Sequence, residues 1–260
     1  MKDLYRFSKY YLKLLKPENE TEKQIRKYLR KLERLEISTS YPLLLRLYED
    51  YAEGRITRKD LSECLKIIET YIVRRAVCGI PTQALNKYFP TIYKSLDKDN
   101  MVVSLKDKLN EGIGVRRLPD DDEFLQSLRE RPLYGNKILR YVLEEIEKYN
   151  NKEVVNFKEL QVEHIMPQKL NDDWKRMLGD NWELVHKKFL DILGNLTLTG
   201  YNPEYSNKPF RDKRDMKKGF KESGLRLNRE LAKLNKWDEE EVKRRAKKLS
   251  KIAADIWGLN

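Results

Sequence analysis

At 260 residues the chain can hold one large domain or two modest ones. Its 54 Lys and Arg against 42 Asp and Glu leave a formal charge of +12, which points towards a polyanionic partner, nucleic acid first. No apolar run approaches the roughly 20 residues that cross a bilayer, and Lys2, Asp3 and Arg6 put charge where a signal peptide would be apolar. Cys64 and Cys78 form no CxxC pair, so a zinc ribbon lacks support, and a cytoplasmic protein is the expectation.

The first half reads as helices. Ile25, Leu29, Leu32 and Leu35 recur at helical spacing, and Ser38-Thr39-Ser40 breaks the pattern. Pro42 sits in the first turn of the next helix, where its missing N–H costs nothing, and Gly54 ends it. Leu61 to Val77 carries a buried stripe of Leu61, Leu65, Ile68 and Ile72. Arg74-Arg75 lie near its C-terminal end, where cations complement the helix dipole. A structural role for that arginine pair is favoured over a phosphate contact. Another helix is expected over Gln83 to Leu96, and Asp121 or Asp122 is suited to cap one beginning near Glu123. A further helix carries Ile138, Tyr141, Val142 and Ile146, and Tyr149-Asn150-Asn151-Lys152 ends it.

The pattern then changes, which places a domain boundary near 150: a helical domain over 1–150 and a site-bearing domain over 151–260. Leu160 to His164 and Leu196 to Thr199 are short and suited to strands, with a helix expected between them from Asp172 to Leu193. After Asn202 the chain reads as helix again, split near Ser223-Gly224, and a final helix runs from its N-cap Asp238 to Trp257. The fold class is therefore mainly α.

The chain has two histidines, and one lies in Glu163-His164-Ile165-Met166-Pro167-Gln168. Downstream come Gly194-Asn195-Leu196-Thr197-Leu198, Asn202 and Ser206-Asn207-Lys208. Phosphodiester hydrolysis needs a base for the attacking water and stabilisation of charge on the phosphoryl and leaving oxygens. Histidine supplies the first near neutral pH, and a hard divalent cation held by carboxylate and amide oxygens supplies the second. Glu163, His164 and Asn202 are the required types. On an extended segment Glu163 and His164 point to opposite sides, so a bend or loop is needed for both to serve one site. Asn195 is placed to fix the neighbouring loop through backbone groups. His186, beside Lys187-Lys188, is better suited to a structural role. In isolation His164 would be read the same way; the company of Glu163, Pro167 and the asparagines reverses that preference.

These strings, with Pro209-Phe210 and Lys213, resemble the HNH nuclease domain of GmrSD-like enzymes, type IV modification-dependent restriction endonucleases of bacteria and archaea. The acid-His-x-x-Pro-Gln string is also similar to the HNH domain of CRISPR effector nucleases. Trp237, Arg244 or Arg245, and Trp257 resemble the family's closing helix. Tyr71 to Arg75 with Cys78-Gly79 resembles the helical region before it, so the resemblance covers most of the chain. It implies a ββα-metal finger embedded in helices, behind a helical N-terminal domain. His164 would then be the general base, and Glu163 and Asn202 the ligands of a divalent metal, Mg2+ first and Mn2+ second. Asn195 would shape the loop and orient the histidine. Asn207 becomes an alternative ligand or phosphate contact, and Lys208 and Lys213 would approach the phosphate. The expected products carry 5′-phosphate and 3′-hydroxyl ends. The last motif position is Asn rather than His, which leaves metal preference open. Such proteins usually carry a ParB-like nucleotide-hydrolysing domain, which nothing here resembles, so that part is expected on a longer chain or a separate subunit.

Between Lys208 and Lys251 there are 17 basic and 8 acidic residues, a clustering that favours a phosphate-backbone surface over ordinary solvated helices. Arg211, Arg214, Lys217 and Lys218 are its candidates next to the site, with Tyr201 and Tyr205 equally suited to stack on bases or to pack a core. The four tryptophans read as core anchors. The leading expectation is a DNA endonuclease of a type IV restriction, anti-phage system. With one site per chain, cutting both strands favours a homodimer or sequential nicks. The alternative is a non-catalytic nucleic-acid-binding or assembly module using the same basic helices.

Overall fold

The computed structural model describes residues 2–258. The chain divides into two compact units, Met1–Pro119 and Asp120–Asn260. The division falls at Pro119, earlier than the expected 150, because the two helices that follow it pack into the second unit. Among the described residues no helix is long and apolar enough to cross a membrane.

The first unit is helical throughout: α1 (Lys2–Leu15), α2 (Lys23–Arg34), α3 (Tyr41–Ala52), α4 (Arg58–Val77), α5 (Leu85–Ile92) and α6 (Met101–Asn110). The Ile25, Leu29 and Leu32 stripe is buried, as its period requires, and packs with Leu61, Leu65, Ile68 and Ile72 of α4 in one core. Thr57 and Asp60 form a capping box at the start of α4. The helix expected over 83–96 is shorter, continuing past Ile92 only as a 3-10 turn. The Arg74-Arg75 pair is wholly buried and works on the backbone. Arg74 Nε donates to Pro119 O at 3.0 Å, and Arg75 donates to Arg117 O at 2.9 Å and Pro81 O at 2.7 Å. Together they pin down the end of the unit, and neither guanidinium is offered to a phosphate.

The second unit begins with α7 (Asp121–Glu130) and α8 (Lys137–Lys148). Its long closing helix, α13 (Glu239–Trp257), packs against both. Asp120 caps α7 by accepting from Glu123 N at 2.8 Å, one residue earlier than expected. Asp238 caps α13 as expected. The expected helix over 172–193 is two helices, α9 (Asp172–Leu178) and α10 (Trp182–Phe189). Gly179, at φ +79°, breaks it with a backbone conformation that L side chains rarely adopt. The expected strands are present as β1 (Gln161–His164) and β2 (Leu196–Thr199). They pair antiparallel, with Glu163 opposite Thr197 and His164 opposite Leu196. Two short helices follow, α11 (Asn202–Tyr205) and α12 (Phe210–Asp215). Residues 216–238 are turns rather than the expected helix, held by Trp237, Phe220 and Leu231 in the core.

The turn before β2 presses on α13. A Cβ added at Gly194 would lie 2.4 Å from Val242 O and 2.9 Å from the Ala246 side chain, so only glycine permits the approach. That contact fixes where β2, and with it the cleft beside β1, sits on the unit.

Candidate active site

Beside the end of β1 lies an open cleft of about 340 Å³, lined by Tyr134, Glu163, His164, Gln168, Asn202 and Asn207 among others. Glu163 and His164 are neighbours on a strand and are held from opposite sides, yet both reach the cleft because His164 is the last residue of β1. Beyond it the chain turns, and His186 bonds Pro167 O at 3.0 Å. His186 is thus structural, as its surroundings in the sequence indicate.

Glu163 is 4% exposed and receives the Lys213 ammonium on Oε1 at 2.6 Å. Lys213, 0% exposed, also donates to His164 O at 2.9 Å. Burial raises the Glu163 carboxyl above its usual range and lowers the Lys213 ammonium, and each partner's charge opposes that shift. The sequence resemblance sends Lys213 to the phosphate; the structure puts it beneath Glu163, out of solvent. It holds the acid and the histidine's own carbonyl in place.

His164 is buried at 7% exposure, and its Nε2 meets Asp191 Oδ1 at 3.0 Å. A carboxylate only accepts, so the proton belongs on Nε2 and the Nδ1 lone pair is left for other work. Burial lowers the imidazole below its usual value, and the Asp191 contact pulls the other way. The Tyr134 ring lies 4.2 Å from the imidazole, centroid to centroid. Both neighbours come from one local arrangement: Leu133 N and Tyr134 N donate to Asp191 O at 2.8 and 3.2 Å. Neither residue was singled out from the sequence. Asp191 lies 27 positions from the histidine, and nothing in its own segment marks it.

Asn195 is wholly buried and spends its entire amide on the protein. Its Nδ2 donates to Met166 O at 3.0 Å and Leu190 O at 2.9 Å, while Oδ1 accepts from Met166 N at 2.8 Å and Trp237 Nε1 at 2.9 Å. It fixes the chain just past His164, as expected of a loop-shaping residue, and its amide has nothing left to offer a substrate.

Asn202 donates its Nδ2 to Val162 O at 2.8 Å, tying the start of α11 to β1. Its Oδ1 and the second carboxylate oxygen of Glu163 make no hydrogen bond among the described residues. Among those residues no group of three or more His, Cys, Asp or Glu is placed to hold a metal. Two hard oxygens on an open cleft are the donor type that Mg2+ and Mn2+ prefer. Asn207 and Lys208 are exposed, and their carbonyls are held by Asn171 Nδ2 and Trp174 Nε1, both at 3.0 Å. Ser206, between α11 and this pair, has φ 43° and ψ −134°, a strained backbone for a residue with a Cβ.

The expected nucleic-acid contacts divide. Arg211, Lys217 and Lys218 are exposed. Arg214 gives its donors to Asp215, Leu234 O and Asn235. Tyr205 is wholly buried, packs on Phe220 at 5.1 Å and donates to Lys218 O at 3.0 Å, so it is a core residue and no base can reach it. Tyr201 is half-buried, with the Lys218 ammonium 4.8 Å from its ring centroid. Trp174, Trp237 and Trp257 are buried anchors, as expected, whereas Trp182 is partly exposed, with the Lys175 ammonium 5.2 Å from its ring centroid.

No curated protein matches the chain. The profile of the GmrSD restriction endonucleases, C-terminal domain, matches residues 118–252, beginning within two residues of the start of the second compact unit. With more than half of its length matched, the chain belongs to the GmrSD restriction endonuclease family, DNA-cleaving hydrolases whose C-terminal domain it carries.

Proposed function

We propose that the second unit is a divalent-metal-dependent HNH endonuclease that hydrolyses DNA phosphodiesters as the nuclease part of a type IV restriction system. The observation that carries this reading is the meeting of Glu163, His164 and Asn202 on one cleft, with an unpaired carboxylate oxygen and an unpaired amide oxygen. The order β1, β2, α11 is compatible with a ββα-metal finger.

His164 Nδ1 takes the proton from the attacking water, while Asp191 keeps Nε2–H in place and favours the imidazolium that forms. Lys213 keeps Glu163 and the His164 carbonyl in fixed positions. Glu163 and Asn202 would hold the cation. When bound, the cation supplies positive charge against the phosphoryl and leaving oxygens. Asn207, which lines the cleft, and Lys208, exposed next to it in the chain, bind neighbouring phosphates. One such cleft per chain cuts a duplex either as a homodimer or by two successive nicks. The choice of which DNA to cut rests with a nucleotide-hydrolysing, ParB-like partner region.

A plasmid-nicking assay tests the reading: supercoiled DNA is converted to nicked circles with Mg2+ or Mn2+ and stays intact with EDTA. Conversion that persists at equal rate in EDTA would exclude the metal, and no conversion with either metal would exclude the nuclease.

A further inference from the structure

A second cleft in the same unit, of about 450 Å³, is lined by Arg226, Arg229, Lys233, Arg245 and Lys248 against one acid, Glu230. Its floor is unusual. Arg245 is 3% exposed and forms no ion pair among the described residues. Its guanidinium is held by carbonyls alone: Gly194 O at 2.9 Å, Leu196 O at 2.8 Å, and more distantly Leu193 O at 3.3 Å and Leu227 O at 3.4 Å. Burial pulls it down to about 10, so it stays charged at neutral pH. The Glu230 charge opposes that shift without forming an ion pair with it, and a buried charge left unpaired is costly. Above it, Lys248 pairs with Glu230, the single acid of the cleft, and Arg226 donates to Tyr149 O at 2.6 Å. Arg229 and Lys233 are exposed and make no ion pair among the described residues. Two free cations over a buried arginine form a concave receptor for a dianionic or monoanionic oxyanion, the chemistry of a phosphate group.

We infer that this cleft is a second phosphate site, taking a backbone phosphate of the DNA away from the scissile bond. The inference rests on DNA being the substrate. The carbonyls that hold Arg245 flank Asn195, the residue that fixes the chain past His164. The same arginine therefore underlies both the second phosphate site and the turn behind the catalytic one.

The test compares duplex binding by fluorescence anisotropy across a salt series for the full chain, the double variant Arg229→Ala/Lys233→Ala, and a control, Lys59→Ala/Lys66→Ala. The control removes two exposed lysines from α4 and the same total charge. The cleft variant should bind roughly tenfold more weakly, with a salt slope smaller by roughly 2, while the control stays near wild type. Equal losses in both variants, or none in the cleft variant, overturn the inference. A second arm measures thermal stabilisation by inorganic phosphate against chloride at matched ionic strength. Stabilisation that the cleft variant loses while its DNA affinity stays unchanged identifies a free-anion site and overturns the backbone reading. If wild type binds DNA in a salt-sensitive way but does not cut it, the nuclease reading fails alone and the cleft comparison still decides this inference. If wild type does not bind DNA, both fall.

Discussion

Lys213 reaches Glu163 across 50 positions of sequence and meets it at 2.6 Å, the lysine fully buried and the glutamate open to the cleft only at its edge. Removing one member of such a pair strands the other, at roughly 3–5 kcal/mol, while replacing both by apolar groups of similar size is often near neutral. Lys213→Met should therefore lower stability by about that amount in urea unfolding. Adding Glu163→Leu should recover most of the loss without restoring cleavage. A double variant no more stable than the single one would deny the pairing.

The acid limb of the pH–rate profile should report His164. Burial holds its imidazole below the usual 6.5, so the base stays neutral, and cutting stays at full rate, to below that pH. The linkage has the same sign: in that window the unfolded chain binds more protons than the folded one, so stability falls as pH falls. Asp191 opposes the shift, so Asp191→Asn should move the limb to lower pH. It should also slow cutting roughly 100-fold, in keeping with a misplaced general base. A limb that moves up, or an unchanged rate, would count against the contact.

The string from Glu163 to Gln168, the glycine-asparagine turn and Asn202 were legible because residue type and order suffice to propose a metal-assisted hydrolase, and all of them line or support one cleft. The strands and the cap at Asp238 were legible because their signals are local. Asp191 and Tyr134 were not: they meet His164 through a tertiary bridge between Pro132 and Ile192 that no local pattern encodes. Lys213 misled for a related reason. A lysine in a basic stretch reads as a surface cation, and only the carboxylate folded over it makes burial tolerable. After Asn202 helix persists only in the short α11 and α12; over 216–238 it gave way to 3-10 turns because Phe220, Leu231 and Trp237 are drawn singly into the core, which overrides helical preference.

Asn195→Ala should be among the most damaging single changes in the unit. It leaves Met166 N, Met166 O, Leu190 O and the Trp237 indole without their partner. At roughly 1–3 kcal/mol for each buried group left unpaired, the loss should exceed about 3 kcal/mol, visible as a fall in thermal midpoint. A near-wild-type midpoint would show that the amide is dispensable to the fold.

The two tyrosines beside Asn202 should separate by position. Tyr205→Phe should cost about 0.5–1.5 kcal/mol through the lost bond to Lys218 O, with DNA affinity unchanged. Anisotropy titrations showing a several-fold affinity loss for this variant would place Tyr205 on the binding surface instead of in the core.

In the proposed mechanism His164 carries the chemistry without carrying the binding. Single-turnover cleavage and DNA affinity measured side by side for wild type and His164→Ala, in Mg2+ and in Mn2+, test it most directly. The prediction is a rate at least roughly 100-fold lower, with the dissociation constant within about threefold of wild type. A variant that cuts as fast as wild type would contradict the assignment of the base. One that loses cutting only in proportion to lost binding would make His164 a binding residue rather than a catalytic one.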